Sequence, residues 1–92
     1  MIARMWETKI SPGQLDDFCG WVKGTAWPQF VAAPGFNGGE LYRSDEHHRI
    51  VLVTRWATPD ALAAGNEWFD LGAERFLARE PQAWDFNPVD LD

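Results

Sequence analysis

The side chains of this sequence that could do chemistry are mostly aromatic. Six Trp, six Phe and one Tyr occur among 92 residues, a large supply because each buried aromatic ring removes about 150–250 Å² from water. Such a supply can fill a core, line a pocket for a flat ligand or cover a subunit interface. Trp also carries one N–H donor, so a Trp that stacks on a ring can orient it as well.

Asn66 and Trp27 are two further residues that could take part in a pocket for a flat ligand. Asn66 lies four residues after Leu62 and three before Phe69, so in a helix all three would lie on one buried face. A buried amide needs hydrogen-bond partners or a purpose, whereas a slightly rotated helix would expose it. Trp27 stands beside a predicted helix break at Pro28, where it either covers a pocket mouth or packs against the sheet.

Other kinds of site lack the residues that they need. His47 and His48 are the only histidines, and they fall in a predicted turn without carboxylates in fixed spacing, so we expect them to be solvated rather than to bind metal. The glycines of residues 35–39 precede a strand and not a helix, so they do not form a dinucleotide-binding loop. Ser11 and Ser44 lack a histidine in a suitable local context, which gives hydrolase chemistry no support. We therefore expect neither a metal nor another cofactor.

Charge and composition limit the partners. Eight basic against 14 acidic residues give a net charge of −6, which repels nucleic acid and anionic lipid. No apolar run approaches the about 20 residues of a membrane span, and residues 1–4 lack the hydrophobic region of a signal peptide. The single Cys19 cannot form an internal disulfide and fits a reducing compartment. We expect a cytoplasmic protein that binds neither nucleic acid nor membrane.

The elements that position these residues follow from periodicity. Alternating residues predict a strand at 2–10, with Trp6 on one side and Met5 on the other. Ser11-Pro12-Gly13 predicts a helix start, and apolar steps of three and four continue that helix from residue 13 to about 33, with a kink or break near Pro28. The rest of the chain is predicted as two strands, a second helix and a last strand, in the order Phe36–Arg43, Arg49–Ala57, Thr58 to about Pro81, and Ala83–Leu91.

Two of these strands carry marks of their position in a sheet. Gly38-Gly39 weakens or bulges the second strand, and Pro88 suits an edge strand because proline cannot donate to a neighbour. The third strand, rich in β-branched residues, is long enough to be central.

This β-α-β-β-α-β order predicts one α+β domain of residues 1–92, with a ferredoxin-like antiparallel sheet and two helices on one face. The opposite face includes Ala3, Met5, Val51 and Val53, which are too apolar to leave in water. Pairing two such sheets across a two-fold axis hides both faces. We therefore expect a homodimer.

Several segments occur together in one order and spacing: IARMW, PGQLDDF, WPQFVAAPGFNG and RIVLVTRWATPDAL. Together they resemble the antibiotic biosynthesis monooxygenase family, a group of small dimeric α+β barrel proteins, over about residues 2–77. The Pro-Gly-Phe turn at 34–36 and the Arg-Trp-x-Thr passage that begins at residue 55 are the most specific pieces. The resemblance implies a ligand between the sheet and the helices, with Trp56 of the third strand lining its pocket.

The resemblance also implies an activity, since the family includes cofactor-independent monooxygenases that oxidise phenols and quinols. A deprotonated phenol can itself reduce dioxygen if the protein holds the ring, excludes water and places hydrogen-bonding groups near the oxygen. We therefore expect a monooxygenase that acts on a small or polycyclic phenol or hydroquinone without metal or flavin. The residues expected to bind this aromatic molecule are Trp6, Trp27, Trp56, Asn66 and Phe69.

Two alternatives stay open. The only plausible proton acceptors are Glu7, Glu40 and Asp70, and alternation points Glu7 away from the pocket, which favours a non-enzymatic ligand-binding or dimerisation module. Haem degradation, which also occurs in the family, is disfavoured. Trp6 stands where haem-degrading relatives carry an Asn, and the second helix lacks their histidine ligand.

Overall fold

Four antiparallel strands form the sheet that positions the other elements. A computed structural model describes residues 1–92 and gives the strands as β1 Ile2–Lys9, β2 Phe36–Ser44, β3 Arg49–Trp56 and β4 Gln82–Phe86. Their order in the sheet is β2-β3-β1-β4, so β1 and β3 are central. The predicted ferredoxin-like α+β fold is confirmed.

The helical layer covers one face of this sheet. Between β1 and β2 lie α1 (Leu15–Trp21), a π-helical segment (Val22–Ala26) and α2 (Trp27–Ala32). Between β3 and β4 lie α3 (Pro59–Gly65) and two 3₁₀ turns, Trp68–Leu71 and Ala73–Phe76. No helix of this layer has the length and apolar character needed to cross a membrane.

The first helical stretch differs from the prediction at its start. Ser11-Pro12-Gly13 does not cap a helix, because Gly13 has a φ of +78° and the Ser11 carbonyl accepts from Gln14 N–H at 3.0 Å. This is the geometry of a turn with Pro and a left-handed Gly at its centre. The predicted irregularity near Pro28 takes the form of the π-helical segment, which ends just before α2. Pro28 has no backbone N–H to donate, and its ring clashes with the preceding turn of a regular α-helix.

The second helix is shorter than predicted. Thr58 caps it as expected, accepting a hydrogen bond from Ala61 N–H at 3.1 Å. The prediction that it continues to about Pro81 is wrong, because α3 ends at Gly65. A Cβ at Gly65 would overlap the Trp56 ring, and Gly72 has a φ of +116°, so the chain passes through 3₁₀ turns instead.

The strands follow the predicted pattern with small changes. The register of β2 shifts between Phe36 and Gly39, as expected from the Gly38-Gly39 pair. A Cβ at Gly39 would overlap the Val53 carbonyl. The last strand is an edge strand, but it ends at Phe86 and not at Leu91, since Pro88 cannot donate to the ladder.

Alternation along the strands separates a helix face from an open face. The helix face carries the buried Trp6, Thr8, Ile50, Leu52 and Trp56, which pack under Phe18, Val22 and Phe30 of the first helical stretch. We call the opposite side the open face; its apolar residues are Ala3, Met5, Tyr42, Val51, Val53, Trp84 and Phe86. No element of the chain covers the open face, and Trp84 and Phe86 are about half exposed.

Gly65→Ala tests the contact that ends α3. The new methyl group has to displace the buried Trp56 ring, so the free energy of unfolding should fall by about 1–3 kcal/mol in urea denaturation. Gly20→Ala is the matched control, because nothing lies within 4 Å of its Cβ position in α1 and alanine there should stabilise by up to about 1 kcal/mol. Equal effects of the two substitutions would contradict this packing.

Candidate functional site

An aromatic cavity of about 240 Å³ opens on the helix face beside β1 and β4. We call it the β1–β4 cavity; its lining residues are Arg4, Trp6, Asn66, Trp68, Phe69, Pro81 and Ala83. The register places Trp6 opposite Ala83, so these two side chains share the helix face. The space exists because the 3₁₀ turns after α3 reach Trp6 but leave the β4 side chains largely uncovered.

Three aromatic rings form the wall of this cavity. The ring of Trp6 meets Trp68 edge to face with centroids 4.8 Å apart, and the Phe69 centroid lies 6.3 Å from Trp6. Behind Trp6, the ring of Phe18 stacks in parallel at 6.2 Å. Trp6 and Trp68 are buried and Phe69 is half-buried, so the wall is already formed in the free protein.

Asn66 reaches the cavity because it ends α3. Its φ of −97° and ψ of 40° are not helical, and its side chain is half-buried beside the aromatic wall. None of the side-chain hydrogen bonds of the structure involves this amide. Asn66 therefore offers both a donor and an acceptor to a molecule in the cavity.

Arg4 is the one charged residue that lines the cavity. Its Nε and Nη2 donate to the two carboxylate oxygens of Asp85 at 2.7 and 2.9 Å, across the β1–β4 pair. This hydrogen bonding raises the pKa of Arg4 and lowers the pKa of Asp85. The pair fixes the plane of the guanidinium, as bidentate Arg–carboxylate contacts do.

Trp56 and Trp27 lie in a second aromatic cluster. The Trp56 ring is fully buried, with its centroid 5.1 Å from Phe36 and 6.2 Å from Phe30, and Trp27 contacts the same two Phe rings. The Nε1 donor of Trp56 is buried and has no hydrogen-bond partner. The structure thus brings together Trp6, Asn66 and Phe69, and separately Trp27 and Trp56.

Trp68 joins the two clusters and was missed in the sequence. Its centroid lies 5.8 Å from Phe30, and it separates the β1–β4 cavity from a second cavity of about 440 Å³ between α2 and α3. In a continuous helix that buries Phe69, Trp68 would point about 100° away from the buried face, so helical spacing did not predict its burial. Trp68 is buried because α3 ends at Gly65 and the chain continues in a 3₁₀ turn.

The three sequence-predicted proton acceptors lie outside the β1–β4 cavity. Glu7 and Glu40 are on the open face, where Glu7 pairs with Arg49 and Arg79, and Glu40 pairs with Arg55 at 2.5 Å. The hydrogen bond from Arg55 lowers the pKa of Glu40. Asp70 lines the 440 Å³ cavity beyond Trp68.

The histidine pair lies far from this arrangement. His47 and His48 are exposed in the turn between β2 and β3, where the His48 carbonyl accepts from Ile10 N–H at 2.7 Å. No three His, Cys, Asp or Glu side chains of the chain are grouped closely enough to hold a metal ion.

Solved structures similar to this chain extend over nearly its whole length. A Bordetella bronchiseptica protein classed with the antibiotic biosynthesis monooxygenases has 31% identical residues, covers 96% of each chain and gives a TM-score of 0.79. A Nitrosomonas europaea protein of the same class is 18% identical over 98% of this chain and 100% of its own, with a TM-score of 0.82. A Streptomyces coelicolor monooxygenase, solved in complex with the ligand Nanaomycin D, is 15% identical over 99% of this chain and 89% of its own, with a TM-score of 0.77. No protein-family model matches the sequence, and no curated protein is significantly similar to it.

The sheet order and the helical layer on one face define a ferredoxin-like α+β protein, and the β1–β4 cavity lies between this sheet and the helical layer. The chain belongs to the antibiotic biosynthesis monooxygenase family, as the 31% identity along 96% of both chains shows. The relatives below 25% identity show the shared fold alone.

Asp85→Asn tests the ion pair that holds Arg4. The native pKa of Asp85 lies below its unfolded value of about 3.9, so its stabilising contribution is complete above that pH and is lost as the pH falls through the native pKa. Because the pair is partly exposed, the contribution should be at most about 1 kcal/mol. Urea denaturation should therefore separate wild type from Asp85→Asn at pH 7 and much less at pH 2.

Glu46→Gln is the control for this comparison, because Glu46 is exposed in the β2–β3 turn and makes no ion pair. The control should match wild type in its pH dependence. A difference between wild type and Asp85→Asn that is the same at both pH values would contradict the role of the pair.

Proposed function

We propose that the chain is a monooxygenase that oxidises a small phenol or hydroquinone with dioxygen, without metal or flavin, in the β1–β4 cavity. The observation that carries this proposal is the preformed wall of Trp6, Trp68 and Phe69 with the free amide of Asn66 at its edge. A few placed polar groups in a mostly apolar concavity are typical of small-molecule sites. Family membership supports the same reaction class.

The size of the cavity supports a substrate of one or two rings. An engineered apolar cavity of about 150 Å³ holds benzene, and the β1–β4 cavity has about 240 Å³. A polycyclic substrate would have to extend past Trp68 into the 440 Å³ cavity. It would then approach Gly65 and, behind it, the six-membered-ring edge of the buried Trp56; Trp27 would support this wall through Phe30 and Phe36.

The proposed reaction balances with the substrate as the only reductant. One oxygen atom of dioxygen forms a C–O bond to the ring of a hydroquinone, and the other leaves as water with two hydrogens of the substrate. The product is a hydroxyquinone. The protein's part is to hold the ring against Trp6 and Phe69, to exclude water, and to donate a hydrogen bond from the Asn66 amide to the substrate oxygen.

The positions of the carboxylates favour a second candidate, a non-enzymatic module that binds a small aromatic molecule. A general base has to lie within hydrogen-bond reach of the proton that it accepts. Glu7 and Glu40 are on the other side of the sheet and paired with arginines, and no carboxylate lines the β1–β4 cavity. The two candidates differ in one measurement, since only the first consumes oxygen.

We also propose that two copies pair through the open face. Met5, Val51 and Val53 form its centre with Trp84 and Phe86 beside them, and a two-fold axis would set this surface against itself. The two carboxylates of this face, Glu7 and Glu40, are already paired with arginines of the same chain. Two copies can therefore meet there without burying an unpaired carboxylate.

We propose that the protein works in the cytoplasm. Cys19 is a free, half-buried thiol, and the chain has no second cysteine with which to form an internal disulfide. A reducing compartment suits such a protein.

Oxygen uptake tests the activity. With methylated hydroquinones and anthrone as substrates, an oxygen electrode should record consumption that persists in EDTA, with a hydroxyquinone or quinone as product. Asn66→Ala should lower kcat/KM about tenfold, the effect of one lost hydrogen bond, and Phe69→Ala should lower it as well. Val31→Ala, an exposed position on α2, is the control and should leave the rate unchanged.

Two results would go against the proposed activity. Saturable binding of the same compounds without oxygen consumption would favour the non-enzymatic module. If the protein neither bound these compounds nor consumed oxygen, both candidate functions would lose their support.

Sedimentation equilibrium tests the pairing of two copies. Wild type should sediment as a dimer at micromolar concentration, whereas Trp84→Lys should sediment as a folded monomer because it places a charge within the apolar surface. Val31→Lys is the matched control, since Val31 is 62% exposed but lies on α2, away from the open face. A monomeric wild type, or a dimer unaffected by Trp84→Lys, would overturn the proposal.

A further inference from the structure

We infer that the β1–β4 cavity binds its aromatic ligand as an oxyanion and that Arg4 is the residue that selects this charge. The inference rests on the proposed function and deepens it, because it names the ionisation state of the molecule that the site accepts. The shared chemistry is a one- or two-ring aromatic anion, a phenolate or an aromatic carboxylate.

The only charge that lines the cavity is positive. Arg4 lines it, and the other lining residues are uncharged. The acidic residues on the neighbouring elements face elsewhere: Glu67 and Asp70 line the 440 Å³ cavity, and Glu80 lines a third cavity behind Phe69. Asp85 is the only carboxylate in contact with Arg4, and it is not among the lining residues.

The guanidinium of Arg4 has donors left for a ligand. Asp85 takes Nε and Nη2, whereas Nη1 donates to no group of the protein. Pairing between β1 and β4 places Arg4 opposite Asp85, so the carboxylate holds the guanidinium in one orientation. A fixed guanidinium with free N–H groups is well suited to bind an oxyanion.

Arg4 keeps its charge at every working pH, since arginine is not deprotonated in proteins and the contact with Asp85 raises its pKa further. Any change in binding with pH therefore comes from the ligand. A cation beside a bound hydroxyl favours the ionised form and lowers the pKa of the bound phenol. This accounts for a cavity without a carboxylate base, because the substrate enters, or is held, already deprotonated.

The experiment uses 4-nitrophenol, whose phenolate absorbs visible light and whose ring is too electron-poor to be oxidised readily. Titrated into the wild-type protein at pH values on both sides of its own pKa, it should bind at least tenfold more tightly as the phenolate. Its apparent pKa should be lower when bound than in buffer. Neutral 4-nitroanisole measures binding to the aromatic wall without the charge.

Three variants separate charge selection from folding. Arg4→Gln should bind 4-nitroanisole as wild type does but lose the preference for the phenolate, and Arg4→Lys should restore part of it. Arg43→Gln is the matched control, since Arg43 is also paired with carboxylates but lies at the β2 end of the sheet. It should leave the preference unchanged.

A second arm identifies the kind of anion. Competition by 4-nitrobenzoate as strong as that by the phenolate would support an aromatic acid as the ligand, and weaker competition would support a phenol; both outcomes agree with selection of an anion. Equal affinity of the wild type for phenol and phenolate, with binding retained, would overturn the inference and leave the proposed function intact. Absence of binding by every probe would instead contradict the cavity as the site.

Discussion

The packing of Trp6 against the helical layer is the contact on which both the fold and the site depend. Its ring touches Phe18 of α1 on one side and Trp68 and Phe69 after α3 on the other. It therefore joins the central strand to both helical segments, and aromatic pairs of this kind add about 0.5–1.5 kcal/mol each beyond their buried area. The same ring is the floor of the β1–β4 cavity. Stability and the proposed ligand site thus share one side chain.

The two faces of the sheet divide the polar chemistry of the chain. On the open face, Glu7 and Glu40 are paired with arginines, and Met5, Val51 and Val53 form an apolar patch. On the helix face, the cavity has aromatic walls with one guanidinium and one amide. Period-two alternation along β1 produces this division, because Arg4 and Trp6 point to one face while Met5 and Glu7 point to the other. A surface for a second copy and a site for a small molecule can therefore be built from the same strand.

Periodicity predicted the sheet well and the segment after α3 poorly. The strands, the bulge at Gly38-Gly39 and the Thr58 cap follow from local patterns that tertiary structure does not override. The end of α3 depends instead on a distant contact, the Trp56 ring against Gly65, which no local window contains. Helical spacing put Asn66 and Phe69 on one face, and both were predicted to bind the ligand. Arg4 shares the face of Trp6 through strand alternation, whereas Trp68 reaches the cavity only because α3 ends at Gly65.

Binding of a small aromatic molecule against Trp6 and Trp68 is the central proposal for this protein. Six Trp residues give six indole N–H signals in a ¹⁵N-edited NMR spectrum, and each can be assigned by substitution. Titration with a small hydroquinone under anaerobic conditions should shift the Trp6 and Trp68 signals with one saturable affinity and leave that of Trp84, on the open face, in place. Shifts confined to Trp27 and Trp56, with Trp6 and Trp68 unchanged, would contradict it.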